Sequence, residues 1–228
     1  MRRFILALFA VAACGDADSV RHLPDAPPPP PDAPPAIDAP PTPQTLIETD
    51  FEGPLPPQID AGTGTLTPTQ GFAAHGFGDT FLRSQTGNTI TITITGLPAH
   101  SKLTIGFLFA AIDSLDGTGA FPAGDFMRIT LDDVTIMRES FANALPTQIQ
   151  SYVAPPGGEL ARHVDLGFGG PGGFFTDSAY DMSVDTRFHD LPHTAPTATL
   201  VFTLEGEGVQ SLDDESWAID NLRVVAVP

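Results

Sequence analysis

The sequence predicts an all-β protein built as an antiparallel β-sandwich, and three observations carry this prediction. From Thr45 onward, short apolar or alternating segments follow one another, Gly- and Pro-rich clusters separate them, and no stretch has a convincing helical period. Strands joined by turns without intervening helices form antiparallel sheets that pack face to face. The chain has 228 residues, 41% of them hydrophobic, which is enough for a sizeable core. We therefore expect one sandwich domain over residues 45–228.

The N-terminus has the pattern of an exported precursor. Arg2 and Arg3 precede an apolar run of about ten residues, too short to cross a bilayer of about 30 Å as a helix. The segment Val11-Ala12-Ala13-Cys14-Gly15 resembles the bacterial lipobox, in which the cysteine is acylated and becomes the new N-terminus. This resemblance implies a signal peptide over residues 1–13 and a lipid on Cys14. The alternative is an ordinary signal-peptidase site with Cys14 as an incidental residue.

Residues 14–44 are expected to form a disordered proline-rich linker. Eleven of the twenty residues from Pro24 to Pro43 are proline, which removes amide donors and fixes φ. Such a tract runs as extended polyproline II, roughly 60 Å long at about 3.1 Å per residue. It would act as a spacer between the membrane and the domain. Gly15 stands where an Asp would retain the lipoprotein at the inner membrane, so the predicted location is the bacterial cell envelope, at the outer membrane or cell surface.

Two segments give the clearest strand patterns. Thr89–Thr95 alternates threonine with isoleucine, which predicts a strand with one buried face. Leu103–Ile112 is apolar on both faces, which predicts a central strand covered on each side. The remaining candidate strands share shorter apolar runs between turns: Phe126–Leu131, Val134–Met137, Leu160–Leu166, Tyr180–Phe188, Thr197–Leu204 and Ser216–Val225.

The charge balance excludes one class of partner. The chain has 28 acidic against 10 basic residues, a net charge of −18, and loss of Arg2 and Arg3 with the leader would make it −20. Binding to phosphate backbones needs a basic footprint, so nucleic acid is not expected as a partner. A carboxylate excess suits divalent cations, or it keeps an exported protein soluble.

Two acidic clusters are the candidate metal ligands. The first, with Asp113 and Asp116, ends the most apolar strand. The second opens the last strand and contains Asp214, Glu215 and Asp220. Calcium takes six to eight oxygen ligands and could serve both clusters, as one ion or as two.

The alternative for Asp220 is that it caps backbone amides at the end of a sheet. The period of two predicts that Asp220 shares a face with Ala218, Leu222 and Val224. An unpaired carboxylate at the start of such an inward row would be costly, so it needs a partner of either kind.

Catalytic patterns are absent from the sequence. It has no Gly-x-Ser-x-Gly elbow, no paired-His zinc motif and no phosphate-cradling loop. His100 and His193 stand beside prolines and are interpreted as turn or surface residues. A pair of carboxylates with glycosidase spacing remains open among so many acids. We therefore expect a protein that is not an enzyme.

Several motifs resemble an extracellular domain of bacterial surface and sorting-signal proteins. They are Gly96-Leu97-Pro98-Ala99-His100, Asp113-Ser114-Leu115-Asp116-Gly117, Tyr180-Asp181, Pro192-His193-Thr194 and the closing Asp214-Glu215-Ser216-Trp217-Ala218-Ile219-Asp220-Asn221. That family usually has a tryptophan where Leu115 stands. Thr49-Asp50-Phe51-Glu52 and Ile219-Asp220-Asn221 also resemble parts of carbohydrate-binding jelly rolls.

These resemblances imply a galactose-binding or lectin-like jelly roll. Carbohydrate-binding jelly rolls often hold a structural calcium between the first and last strands, and this implies Glu52 and Asp220 as ligands. The expected function is a surface-displayed lipoprotein with a non-catalytic binding or adhesion module for a glycan or cell-surface polymer. The alternatives are an extracellular polymer hydrolase and a purely structural envelope protein.

Overall fold

The computed structural model describes residues 41–119, 124–170, 173, 176–206 and 210–228. The signal peptide, Cys14 and most of the linker lie outside these residues and stay predictions. No helix of the described residues has the length and apolar character needed to cross a membrane.

Thirteen strands lie within the described residues. In chain order they are β1 (Gln44–Thr49), β2 (Ile59–Asp60), β3 (Thr65–Pro68), β4 (Thr80–Gln85), β5 (Thr89–Thr95), β6 (Lys102–Asp113), β7 (Phe126–Leu131), β8 (Val134–Ser140), β9 (Glu159–Val164), β10 (Asp177–Asp181), β11 (Leu191–Pro192), β12 (Thr197–Glu205) and β13 (Glu215–Val227).

The strands form two antiparallel sheets. The eight-stranded sheet has the order β3-β4-β13-β6-β10-β9, with β1 paired to β13 and β11 paired to β6. The five-stranded sheet has the order β2-β5-β12-β7-β8. One core cluster contains residues of both sheets, such as Ile92 and Phe202 from the smaller sheet and Phe107 and Trp217 from the larger one. The fold is therefore an antiparallel sandwich of the jelly-roll class, as the sequence predicts.

Strands β5 and β6 confirm the two clearest sequence patterns. In β5, Ile90, Ile92 and Ile94 are buried while Thr89 and Thr93 are exposed. β6 contributes its odd-numbered apolar residues to the core between the sheets. A second apolar cluster, on the outer face of the larger sheet, contains Ala110 and Ile112, and Leu108 packs against it.

Phenylalanines from outside the sheet cover that outer face. Phe72, on the 3-10 helix Gln70–His75, and Phe168, on the loop after β9, lie with ring centroids 5.9 Å apart. Phe81 of β4 lies beneath both, at 5.7 Å and 5.8 Å. The larger sheet is therefore buried on both sides, which is why β6 is apolar throughout.

The predicted strand Tyr180–Phe188 is wrong beyond Asp181. β10 ends at Asp181, and two 3-10 helices follow, Met182–Val184 and Thr186–Phe188. Asp181 and Asp185 cap them by accepting from the amides of Ser183 and Arg187 at 2.8 Å and 3.0 Å. Aspartate at these positions favours a local turn over the strand that the apolar pattern predicted.

The predicted face of Asp220 is also wrong. A bulge interrupts the pairing of β13 with β6 between Asp220 and Arg223, and Asn221 has a φ of +48°. Ala218 consequently lies in the outer cluster, whereas Leu222 and Val224 lie in the core between the sheets. The extra residue inverts the alternation, as a β-bulge does.

Candidate functional site

The predicted calcium ligands lie in two separate places. β13 pairs with β6 so that Glu215 is opposite Asp113 and Asp220 is opposite Leu108. Leu108 is five positions before Asp113, and at about 3.4 Å per residue this separation is about 17 Å. A single cation therefore cannot contact both Asp113 and Asp220.

Asp220 acts as a cap for backbone amides. Its side chain is buried, and its Oδ2 accepts from the Gly78 amide at 2.8 Å while its Oδ1 accepts from the Asn221 amide at 2.7 Å. Burial, followed by the nearby charges of Glu52 and Asp50, raises the pKa of Asp220 to about 6. The carboxylate holds the turn before β4 against the bulge in β13.

Glu52, in the loop after β1, caps the same turn. Its Oε1 accepts from the amides of Asp79 and Thr80 at 2.6 Å and 3.0 Å. A Cβ on Gly78 would lie only 2.1 Å from this oxygen, so glycine allows the carboxylate to take this position. Neither Glu52 nor Asp220 has a buried oxygen without a donor among the described residues. The arrangement fits amide caps, and calcium at this pair stays a prediction.

Asp113 is a buried carboxylate without a hydrogen-bond donor. It is 1% exposed, and neither Oδ1 nor Oδ2 has a partner. Its backbone amide donates to Asp177 Oδ1 at 3.0 Å, and Asp177 Oδ2 accepts from the Leu166 amide at 3.0 Å. Burial, followed by the charges of Asp177 and Asp214, raises the pKa of Asp113 to about 7. A carboxylate in this position needs a proton or a cation.

The chain packs closely against the Asp113 side chain at Gly170. A Cβ on Gly170 would be 2.1 Å from Asp113 Oδ2 and 2.5 Å from the main-chain oxygen of Asp213. Both distances are clashes, so this contact between the loop after β9 and the loop before β13 requires glycine. The two oxygen atoms therefore lie close together, although positions 113 and 213 are 100 residues apart in the chain.

Arg83 is a positive charge near Asp113, but its hydrogen bonds in the described structure go to other groups. Its Nε donates to Ser216 Oγ at 2.9 Å, and one terminal nitrogen donates to the Leu212 carbonyl. The guanidinium lies 4.5 Å from the centre of the Phe168 ring. Arg83 therefore lowers the pKa of Asp113 only through its field and supplies no hydrogen bond.

Asp125 and Glu215 form a buried pair of carboxyl groups. Each residue is 4% exposed, and their side chains share a hydrogen bond. Burial, with Asp125 and Asp116 nearby, raises the pKa of Glu215 to about 9, so Glu215 is the protonated donor. Asp125 also accepts from the Asp116 amide, and Glu215 accepts from Gln210 Nε2 at 2.8 Å. The pair ties the loop after β6 to the start of β13.

The structure thus assigns different surroundings to residues that look alike in the sequence. Within the ranges it describes, no group of three or more His, Cys, Asp or Glu residues is already arranged as a metal site. The sequence analysis did not include Asp177 or Gly170, which border Asp113. No local pattern marks either residue, because both reach Asp113 only through tertiary contacts.

His100 and His193 are in contact, which the sequence analysis missed. His100 Nε2 lies 2.6 Å from His193 Nδ1, and His193 Nε2 lies 2.9 Å from Asp132 Oδ2. His193 is buried rather than on the surface. The histidines join the turn before β6 to the β7–β8 hairpin. In the sequence, the one signal for their contact is that each histidine stands close to a proline.

A groove of about 490 Å³ runs between residues 148–154 and β9. We call it the Arg162 groove, and its lining residues are Gln148, Ile149, Gln150, Tyr152, Val153, Ala154, Glu159 and Arg162. Ile149 and Val153 are 74% and 84% exposed. Arg162 Nε is buried and has no hydrogen-bond partner, while Arg162 Nη1 lies 3.9 Å from Glu159 Oε2. The groove combines exposed aliphatic surface with one arginine and one glutamate.

Comparisons with known proteins show distant likenesses in structure alone. No family model matches the chain, and no curated protein matches it. A carbohydrate-binding module of class CBM28, specific for non-crystalline cellulose, is 12% identical, with 81% of this chain and 96% of that chain covered and a TM-score of 0.35.

Two further solved structures are similar at the same level. The CBM22-1–CBM22-2 tandem domain of Paenibacillus barcinonensis Xyn10C is 16% identical, with 81% of this chain and 50% of that chain covered and a TM-score of 0.34. A cycloisomaltooligosaccharide glucanotransferase of a Paenibacillus species is 13% identical, with 78% of this chain and 19% of that chain covered and a TM-score of 0.30. At these TM-scores the likenesses do not identify corresponding site residues.

Proposed function

We propose that this chain is a lipid-anchored, non-catalytic binding module of the bacterial cell envelope that takes a neutral glycan in the Arg162 groove. The lipid would be carried by Cys14, and residues 14–44 would hold the module away from the membrane. Mass spectrometry of the mature N-terminus checks the anchor, since a chain without acyl groups on Cys14 would contradict it.

The single observation that supports the ligand class is the composition of the groove. Sugars offer hydroxyl oxygens that accept hydrogen bonds and C–H faces that pack on aliphatic side chains. Arg162, whose side chain is 30% exposed, supplies guanidinium donors to the groove, and Ile149 and Val153 supply the aliphatic surface. A concave site with apolar walls and a few polar groups is the usual form of a ligand site.

The overall charge favours a neutral ligand over an acidic one. At a net charge of −18, the protein repels polyanions at long range. The groove itself carries one Arg and one Glu, so it has no excess of positive charge. A neutral polysaccharide is not repelled by the net negative charge and does not need an excess of positive charge in the groove.

A polymer hydrolase remains the alternative function. Glycosidases need two carboxyl groups about 5 to 10 Å apart, with room for sugar and water between them. Asp125 and Glu215 are instead in hydrogen-bond contact and buried, so this pair does not offer that geometry. A purely structural envelope role is the other alternative, and it predicts no glycan affinity.

The proposal is tested by affinity electrophoresis against soluble β-glucan, xylan and an acidic polysaccharide. We expect a neutral polymer to retard the protein. Val153→Asp should weaken that binding by about tenfold or more, equivalent to about 1.4 kcal/mol, because it puts a charge on the apolar wall. The matched control is Val134→Asp, which changes a 66% exposed valine in the β7–β8 hairpin and should bind normally.

Three results would contradict the proposal. Equal loss of binding in Val153→Asp and Val134→Asp would place the site outside the groove. Release of reducing ends from a bound polymer would favour the hydrolase. No retardation by any polymer of the panel would favour the structural role.

A further inference from the structure

We propose that Asp113 and the main-chain carbonyl of Asp213 form the centre of a divalent-cation site beside Gly170. The chemical class is a hard cation with oxygen ligands, of which calcium is the probe used below. This site does not rest on glycan binding and is separate from the Glu52–Asp220 pair.

The first argument is the state of the Asp113 carboxylate. Both of its oxygens are buried and without donors, whereas Asp177 and Asp220 have each of their carboxylate oxygens on a backbone amide. A buried charge of this kind is costly unless an opposite charge or a proton satisfies it. Asp113 is therefore the one carboxylate whose ligand is missing among the buried acids of the described residues.

The second argument is the short distance between two oxygen atoms. The position of a Gly170 Cβ lies 2.1 Å from Asp113 Oδ2 and 2.5 Å from the Asp213 oxygen. These two oxygens can be no farther apart than the sum of those distances. That limit does not exceed twice a calcium–oxygen bond of about 2.3 to 2.6 Å, so one ion can touch both.

The third argument is the local charge. The negative charges of Asp177, Asp213 and Asp214 and the positive charge of Arg83 all act on Asp113. The hydrogen bonds that the described structure gives to the Arg83 guanidinium go to Ser216 and Leu212. The surroundings therefore carry an excess of negative charge that a divalent cation would offset.

The access route also suits a cation. Asp213 is exposed and Asp214 is half-buried, so the loop that supplies the Asp213 carbonyl lies at the surface. Water can complete the coordination, since calcium sites commonly include water ligands. The affinity expected for a site with few protein ligands is about 0.1 to 1 mM, as in other extracellular modules.

The test is a calcium titration of the full chain carrying Cys14→Ser, read by calorimetry and by thermal unfolding. Calcium at about 5 mM should raise the Tm by about 2–6 °C, because it binds the folded state. Asp113→Asn should abolish this rise and the calorimetric signal. Gly170→Ala should do the same with every charge retained, because its methyl group would clash with both oxygens and push them apart.

Two control variants show whether the calcium response is specific to the site at Asp113. Asp133→Asn, in the exposed turn between β7 and β8, should keep the full response to calcium. Asp220→Asn should also keep it, because Asp220 is about 17 Å away along the strand pair.

Three outcomes would overturn the proposal. They are no response of the parent protein to calcium, a normal response in Asp113→Asn, or loss of the response in Asp220→Asn alone. The first outcome, joined with stabilisation by mild acid that Asp113→Asn removes, would mean that a proton satisfies Asp113. If Gly170→Ala does not fold, the nearly isosteric Asp113→Asn decides.

Discussion

At the residue scale, Asp220 shows how one buried side chain joins distant parts of the chain. It accepts from the amide of Gly78, which is 142 positions away, and from that of its own neighbour Asn221. Both of its oxygens are therefore used as acceptors. The contacts fix the turn before β4 to the middle of β13, the strand that pairs with β1, β4 and β6.

We expect Asp220→Asn to destabilise the folded domain by about 1–3 kcal/mol. The amide side chain keeps one acceptor oxygen but turns an NH₂ group toward the second backbone N–H, which then loses its partner. Chemical denaturation with and without calcium measures the effect, and the loss should be the same in both conditions. A loss that is larger with calcium than without it would mean that Asp220 is a metal ligand, because calcium would then stabilise the parent protein but not the variant.

Individual residues also show where sequence reasoning ends. The acidic character of Asp113 and its place at the end of β6 could be predicted, because a doubly apolar segment stops there. Its lack of a donor could not, because that depends on Gly170 and Asp213, which reach it only in the folded chain. Arg162 is similar, since nothing beside it in the sequence shows that its Nε lacks an acceptor.

At the element scale, β13 contains the feature that the sequence pattern misplaced. Trp217 and Ile219 face the core between the sheets before the bulge, and Leu222 and Val224 face it afterwards. A period of two cannot follow this change from odd to even positions. The regular strands β5 and β6 lack such an interruption over their central residues, so their patterns predicted them correctly.

The bulge depends on Asn221. Its φ of +48° lies in the left-handed region, which asparagine tolerates and β-branched residues do not. Its Nδ2 also donates to the Gly76 carbonyl at 3.1 Å. The side chain therefore supports both the backbone conformation and the neighbouring turn.

We expect Asn221→Val to destabilise the domain by about 2–3 kcal/mol, because it adds backbone strain to the loss of a hydrogen bond. Asn221→Gly loses the same hydrogen bond but accepts the positive φ, so its cost should be about 1 kcal/mol. Urea denaturation of the two variants side by side provides the measurement. Equal costs would show that the bulge does not need the left-handed conformation in solution.

At the scale of the whole molecule, alternation and turn spacing predicted the sandwich because both reflect burial on one side of a sheet. The short strands β2 and β11 were not predicted, since two residues carry no period. β4 was missed for a different reason: its four central residues are all buried, so it does not alternate. The outer cover of phenylalanines over the larger sheet explains that pattern.

The N-terminal boundary of the domain is the last prediction. The sequence predicts that the proline tract contributes no strand, and β1 begins at Gln44. A chain that begins at Pro41 should therefore keep the full Tm. A chain that begins at Asp50 is the control: it lacks β1, which pairs with β13 from Gln44 to Thr49 and buries Ile47. This loss should lower the Tm by several degrees, since burying one isoleucine contributes about 1.5–3 kcal/mol. Circular dichroism melting curves of the two chains decide the question, and a drop for the Pro41 chain would mean that the tract packs on the sandwich.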